Sequence, residues 1–518
     1  MKRMLMTLGA VLTIGVAAPV SAIGATPKDV LVIGKAADPQ TLDPAVTIDN
    51  NDWTVSYPAY QRLVRYESKD GKGLSSVTGE LADHWTVSAD GLVWEFKLKP
   101  GNSFADGIPV DAQAVKFSFD RLVKMKQGPG EAFPDDLAVT VVDPLTVRFT
   151  LTKAFAPFLY TLANNGAGII NPAVVANEKN GDNAQAWLSG HTAGSGPYQL
   201  TAWQKGQSLT LEPNPDYSGP KPAFAKVIVK IVPEASARRL QLEGGDLDIA
   251  EDLPLDQVQA LSKTAGVDIG TYPSLRVTYL YLNNKKPPLD KPEVRRAIVK
   301  AIDTGAIIDG ILLGNGKAMG GPIPDGMWGY DPTITPVTAD VKEAKALLAK
   351  AGASGAKLSF ALSDRDPNWQ PIALAVQANL ADAGVTVSLE NLANATYRER
   401  LGKGEFDIAI GNWSPDFSDP YMFMNYWFDS SKQGLSGNRS FYSKAAVDDL
   451  IRKAAVAATQ DERTGLYNQA QHIVVDDAAY VYLFQKNTQV AKRDTVKGYV
   501  FNPMLESIYN IDTMSKAD

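Results

Sequence analysis

The segment Asn412-Trp413-Ser414-Pro415-Asp416-Phe417-Ser418-Asp419-Pro420 brings an amide, an indole and two carboxylates into one short stretch. It follows Phe406-Asp407-Ile408-Ala409-Ile410, an apolar run that reads as a strand, and its prolines make it loop-like. Side chains at such a strand end can face a cleft. Asp419 has a local explanation, as N-cap of a helix that begins at Pro420. Asp416 has none, and its plain alternative is a solvated turn aspartate. Arg365, in Ser363-Asp364-Arg365-Asp366-Pro367-Asn368, also follows a predicted strand. A guanidinium offers paired donors that match a carboxylate; the alternative is a surface arginine neutralised by Asp364 and Asp366. Trp413 could form an apolar wall. Phe417, Tyr421, Phe423, Tyr426, Trp427 and Phe428 crowd the same region, mostly as expected core.

Patterns for bond-making chemistry are missing. The chain has no cysteine, which removes thiolate metal sites, cysteine nucleophiles and disulfide frameworks. His84, His191 and His472 are dispersed; His84 reads as a structural or surface histidine, and neither His191 nor His472 has Asp, Glu or His at metal-ligand spacing beyond what chance gives, so no metal and no cofactor is expected. Gly314-Asn315-Gly316-Lys317-Ala318 lacks the glycine spacing and the hydroxyl of a P-loop. Gly194-Ser195-Gly196 is not a nucleophile elbow, which needs glycines two residues either side of serine; a simple turn is the better reading. A hydrolase with two carboxylates remains open, because its acids need not be neighbours in the chain.

The elements that would position these residues follow from periodicity. Asp29 to Gly34, an apolar run ending at glycine, reads as a strand. Trp85–Ser88 and Leu92–Leu98, around Asp90-Gly91, read as a hairpin. Helical spacing runs from Asp111 to Val123, with Asp111 as N-cap, and strand alternation returns from Val139 to Leu151. Lys226–Val232 and Arg276–Leu282 are expected strands. Helices are expected after Pro292, over Val341–Ala351 with Gly352 as its stop, over Ile372–Ala383, Val447–Ala457 and Asp461–Val475. Strands Leu358–Leu362 and Val385–Leu389 alternate with them. The rhythm predicts α/β and α+β units sharing one chain, without a 20–50-residue repeat.

Residues 1–22 differ in character. Lys2 and Arg3 precede an apolar run from Met4 to Val20, which ends at the small residues Ser21-Ala22. That order predicts a cleaved secretory signal peptide, with the mature chain starting near Ile23 or Thr26. Without a cysteine after the cleavage site no lipoprotein is expected, so the predicted location is the periplasm. The full chain, 518 residues with 51 basic and 58 acidic side chains, carries −7. Losing Lys2 and Arg3 makes the mature charge −9, which gives no basic surface for nucleic acid.

Several segments in order give the chain a family likeness. Leu81-Ala82-Asp83-His84-Trp85 through Asp90-Gly91 to Leu98, then Phe104-Ala105-Asp106-Gly107, resembles the signature of family 5 extracellular solute-binding proteins. These are the dipeptide-, oligopeptide- and nickel-binding receptors of ABC importers. Thr41-Leu42-Asp43-Pro44, Gly194–Tyr198, Gly244–Ile249, Val294–Ile298, Ala344–Gly352 and Tyr442–Leu450 extend the resemblance almost end to end. It implies a type II-like periplasmic binding protein fold with an extra domain and a hinge between two lobes. Residues 23–273 with 486–518 would form the first lobe, of two subdomains, and 274–485 the second. It further implies a monomeric, non-enzymatic receptor that takes a short peptide into the interlobe cleft and presents it to ABC permease subunits. By the same resemblance Asp416 would hold the peptide ammonium and Arg365 its carboxylate, with Trp413 and Asn412 beside them. An opine, a metallophore or nickel chelate, or an oligosaccharide are the alternative solutes; few histidines disfavour the nickel branch.

Overall fold

The computed structural model describes residues 26–517. The expected signal peptide, residues 1–22, lies outside the described residues. Two long antiparallel strands, Val267–Leu282 and Tyr480–Arg493, run side by side through the middle of a large mixed sheet. Flanking them on one side are Ile408–Trp413, Lys357–Ser363 and Thr386–Leu392. On the other side lie Ile249–Ala250, Val30–Lys35, Lys226–Ile231, Ser208–Pro213 and Tyr198–Gln204.

The long pair changes register midway. Val267 to Pro273 oppose Arg493 to Asn487, and pairing resumes at Val277 opposite Gln485. The intervening bulge is pinned by side chains, since Ser274 Oγ donates to the Lys486 carbonyl at 2.6 Å and the Gln485 amide donates to the Ser274 carbonyl. Such a bulge bends a strand and increases its twist. It coincides with a division of the interior. The buried members of the largest apolar core all come from residues 275–484, whereas the remaining cores draw on residues 31–261 and 490–514.

One of those remaining cores lies under a separate four-stranded sheet, ordered Ala82–Val87, Val93–Leu98, Thr146–Thr150, Ala138–Asp143. Alternation along Val93–Leu98 buries Trp94, Phe96 and Leu98, as a half-buried strand requires. Helix Ala112–Met125 covers them with Ala114, Val115, Phe119 and Leu122, and Asp111 accepts from the Ala114 amide at 2.9 Å as its cap. Gly194 and Gly196 serve packing: a Cβ there would stand 2.1 Å from the Ala59 carbonyl oxygen and 2.3 Å from that of Pro58.

Lys357–Ser363, Thr386–Leu392 and Ile408–Trp413 are mutually parallel. Helices Trp369–Asp382 and Asn394–Lys403 make the crossovers between them. All three strands therefore end at one edge, the place where open parallel sheets leave a crevice. Arg365 and Asp416 both lie a few residues beyond that edge.

Candidate functional site

Arg365 sits two residues past the end of Lys357–Ser363 and is exposed. Among the described residues no carboxylate lies within ion-pairing distance of its guanidinium, so neither flanking aspartate neutralises it. Asp366 is committed elsewhere. Its Oδ1 accepts from the Asn368 amide at 2.9 Å, and its Oδ2 accepts from the Asn412 side chain at 3.4 Å. The loop that carries Arg365 is thereby tied to the strand end that carries Asn412 and Trp413.

Asp416 is open to solvent, and among the described residues its carboxylate has no hydrogen bond or ion pair. Burial by the surrounding protein, and then the Glu131 carboxylate, nevertheless push its carboxyl up to about 6. Solvent reaching a group that protein encloses on most sides is the situation of a cleft wall. The other wall is close by. Asn164, from the core of residues 45–169, donates its side-chain amide to the Asp416 carbonyl at 2.8 Å. Phe155 meets Phe417 and Tyr421 edge-on, with centroids 6.5 and 5.4 Å apart, and Ala132 packs onto the 275–484 core.

Asp419 does more than cap. Its Oδ1 accepts from the Tyr421 amide at 2.9 Å, but both carboxylate oxygens also receive the Arg463 guanidinium, each at 2.7 Å, in full burial. This bidentate pair anchors the loop from which Asp416 projects.

Trp413 pairs with Val277 in the sheet and lies 5.8 Å from the Tyr426 ring. Its indole Nε1 is buried and among the described residues has no partner. Over its ring, 5.7 Å from the centroid, stands Arg439, which the sequence reading missed. Arg439 lies in the irregular stretch Leu435-Ser436-Gly437-Asn438-Arg439-Ser440, where no periodicity or motif marks it. Phe417, Phe423, Trp427 and Phe428 are buried core, as their clustering suggested. A cavity of about 810 Å³ beside the strand crossing is lined by Tyr160, Leu275 and Trp328, and includes none of Asp416, Arg365, Asn412 and Trp413.

The histidines are separately engaged. His84 Nδ1 lies 3.0 Å from Asp83, His191 Nδ1 lies 2.8 Å from the Trp187 carbonyl, and His472 Nε2 lies 3.0 Å from Asp331. Among the described residues no group of three or more His, Asp or Glu side chains is arranged to hold a metal ion. No helix of the described residues is long and apolar enough to cross a membrane. The Ser195 hydroxyl is buried and among the described residues has no hydrogen-bond partner.

Comparison with known proteins places this geometry among relatives. The model for bacterial extracellular solute-binding proteins, family 5 (middle), matches residues 76–434. A probable D,D-dipeptide-binding periplasmic protein of Escherichia coli is 60% identical over 492 residues, 95% of each chain. A periplasmic binding protein of Helicobacter pylori, solved with the peptide STSA, superposes with a TM-score of 0.76 at 29% identity, covering 94% of this chain and 98% of that one. HbpA2 of Haemophilus parasuis reaches a TM-score of 0.85 at 27% identity, with 94% and 100% covered.

Proposed function

The chain belongs to the bacterial extracellular solute-binding proteins of family 5, and from that premise we propose that it is the periplasmic receptor of an ABC importer for dipeptides of D,D configuration. The observation that carries the proposal is a pair of unsatisfied opposite charges, Asp416 and Arg365, beyond neighbouring strand ends of one sheet. A dipeptide zwitterion supplies the missing partner for each: its ammonium for Asp416, its carboxylate for Arg365. Asn412, bonded to Asp366 in the Arg365 loop, and Trp413 stand at the strand end that leads to Asp416. The relative sharing 60% identity, named for D,D-dipeptides, supports that stereochemical class.

The lobes of this receptor are residues 23–273 with 486–518, and residues 274–485. The register break between Pro273 and Val277 and the division of the apolar cores support that boundary. Two adjacent strands crossing at one bulge can absorb a rotation in few residues. A ligand touched by both lobes then favours the closed population. Binding and release need no bond-making step, so the protein works without catalysis, as a monomer handing its ligand to permease subunits.

Residues 1–22 direct export and are removed, leaving a soluble periplasmic chain without lipid. N-terminal sequencing of protein released by osmotic shock should begin near Ile23 or Thr26; an intact leader in the membrane fraction contradicts this. The ligand itself is tested by mass spectrometry of small molecules released when protein purified from periplasm is denatured. A dipeptide that chiral chromatography assigns as D,D supports the reading, and an opine, metal chelate or oligosaccharide overturns it.

A further inference from the structure

Arg439 is a half-buried cation that, among the described residues, has no carboxylate partner. A partly desolvated guanidinium is normally paired with an acid, because taking a charge out of water without a partner is costly. Here its donors are only partly used: Nε donates to the Leu435 carbonyl at 2.8 Å and Nη1 to the Tyr281 hydroxyl at 3.0 Å. Nη2 and the second Nη1 proton are uncommitted. The orphaned indole N–H of Trp413 belongs to the ring directly beneath. The two residues share a recess of about 10 Å³ with Tyr279, Tyr281 and Tyr426, enough for one water or one carboxylate oxygen and nothing larger.

The surroundings fix which charge this recess would receive. Its polar lining is a guanidinium, an indole N–H and tyrosine hydroxyls, of which that of Tyr281 accepts from Arg439, and among the described residues no carboxylate lines it. Arg439 and Arg365 both favour the ionised form of one buried phenol, that of Tyr397, whose ring lies 5.8 Å from Trp369, four residues after Arg365. Asp416 acts on Tyr426, which lines the same recess with its ring 5.8 Å from that of Trp413.

We infer that Arg439, together with the Trp413 indole N–H, is a second recognition element for the ligand's terminal carboxylate, held between Arg439 and Arg365. The inference rests on the dipeptide reading and deepens it. Arg439 fixes where the carboxylate ends, and so limits the length of peptide that fits between it and Asp416.

The test is calorimetry with D-alanyl-D-alanine and its C-terminal amide on wild type, Arg439→Gln, Trp413→Phe and Arg365→Gln. Wild type should prefer the acid, and Arg439→Gln should shrink that preference about tenfold or more while leaving the affinity for the amide nearly unchanged. Trp413→Phe, which keeps an aromatic side chain but removes the N–H together with part of the indole, should shrink it several-fold, and serves if Arg439→Gln does not fold. An undiminished acid-over-amide ratio in both variants overturns the inference. If only Arg365→Gln loses the ratio, the dipeptide reading stands and Arg439 is a packing residue. If wild type binds neither compound, that reading falls, and the inference with it.

Discussion

Asn164 donates its side-chain amide to the main-chain carbonyl of Asp416 at 2.8 Å, and this bond joins two apolar cores that share no buried member. Asn164 Oδ1 in turn accepts from the Gly166 amide at 2.9 Å, so the donor is held in place by its own turn. The cleft wall that carries Asp416 is thus fastened to the opposite lobe by a polar contact beside the Phe155 ring contacts.

Asn164→Ala should therefore loosen closure without unfolding either lobe. One lost hydrogen bond of this kind is worth about 1 kcal/mol, or roughly fivefold in ligand affinity. Calorimetry should show that loss while the melting temperature of the free protein stays within a degree or two. An unchanged affinity would mean that the bond does not report on the ligand-bound state.

The Asp416 carboxyl predicts a pH dependence. Burial, and after it Glu131, raise it to about 6 in the folded protein, whereas an aspartate in an unfolded chain titrates near 4. Between those values the folded state binds the extra proton, so the free protein loses stability as pH rises from about 4 to about 6. An ammonium requires the ionised form, so affinity moves the other way, becoming about tenfold weaker at pH 5 than at pH 7. Asp416→Asn should bind weakly with no such slope, and should melt above wild type at pH 7. A slope that survives in Asp416→Asn would assign the titration to another group.

Arg463 and Asp419 give a stability prediction. Removing the guanidinium in Arg463→Met leaves a fully buried carboxylate without its partner, at a cost of about 3–5 kcal/mol. Chemical denaturation should show the transition of the 275–484 core moving to lower denaturant. Pairing the change with Asp419→Leu should restore part of the loss. No shift in Arg463→Met would contradict the anchoring role.

Legibility in the sequence followed local physics. The Asp90-Gly91 hairpin, the Asp111 cap and the helix stop at Gly352, where φ is +68°, were readable because turn and cap chemistry is decided within a few residues. The long strand Val267–Leu282 was expected only from Arg276, since Gly270, Pro273 and Ser274 interrupt the pattern at the bulge. Tyr480–Arg493 was not expected: its first half is buried on both faces and so does not alternate, and Gln485 to Gln489 read as loop. Helix Asn394–Lys403 also escaped, being polar over most of its surface.

Within the site, Asp416 stood out because no cap or turn accounted for it, and Asp419 was read as a cap when its main partner is Arg463, 44 residues away. Arg439 could not be found locally. Its significance comes from Trp413 and Tyr281, which only the sheet brings beside it.

The central claim is that Asp416 captures the ammonium of a D,D-dipeptide. It is tested most directly by calorimetric titration of D-alanyl-D-alanine into wild type and Asp416→Ala. The account predicts a single site in wild type, with affinity at least roughly 30-fold weaker in the variant, because about 2 kcal/mol or more is lost when a buried ligand charge has no partner. Equal affinity in the two proteins, or no binding to wild type, would contradict it.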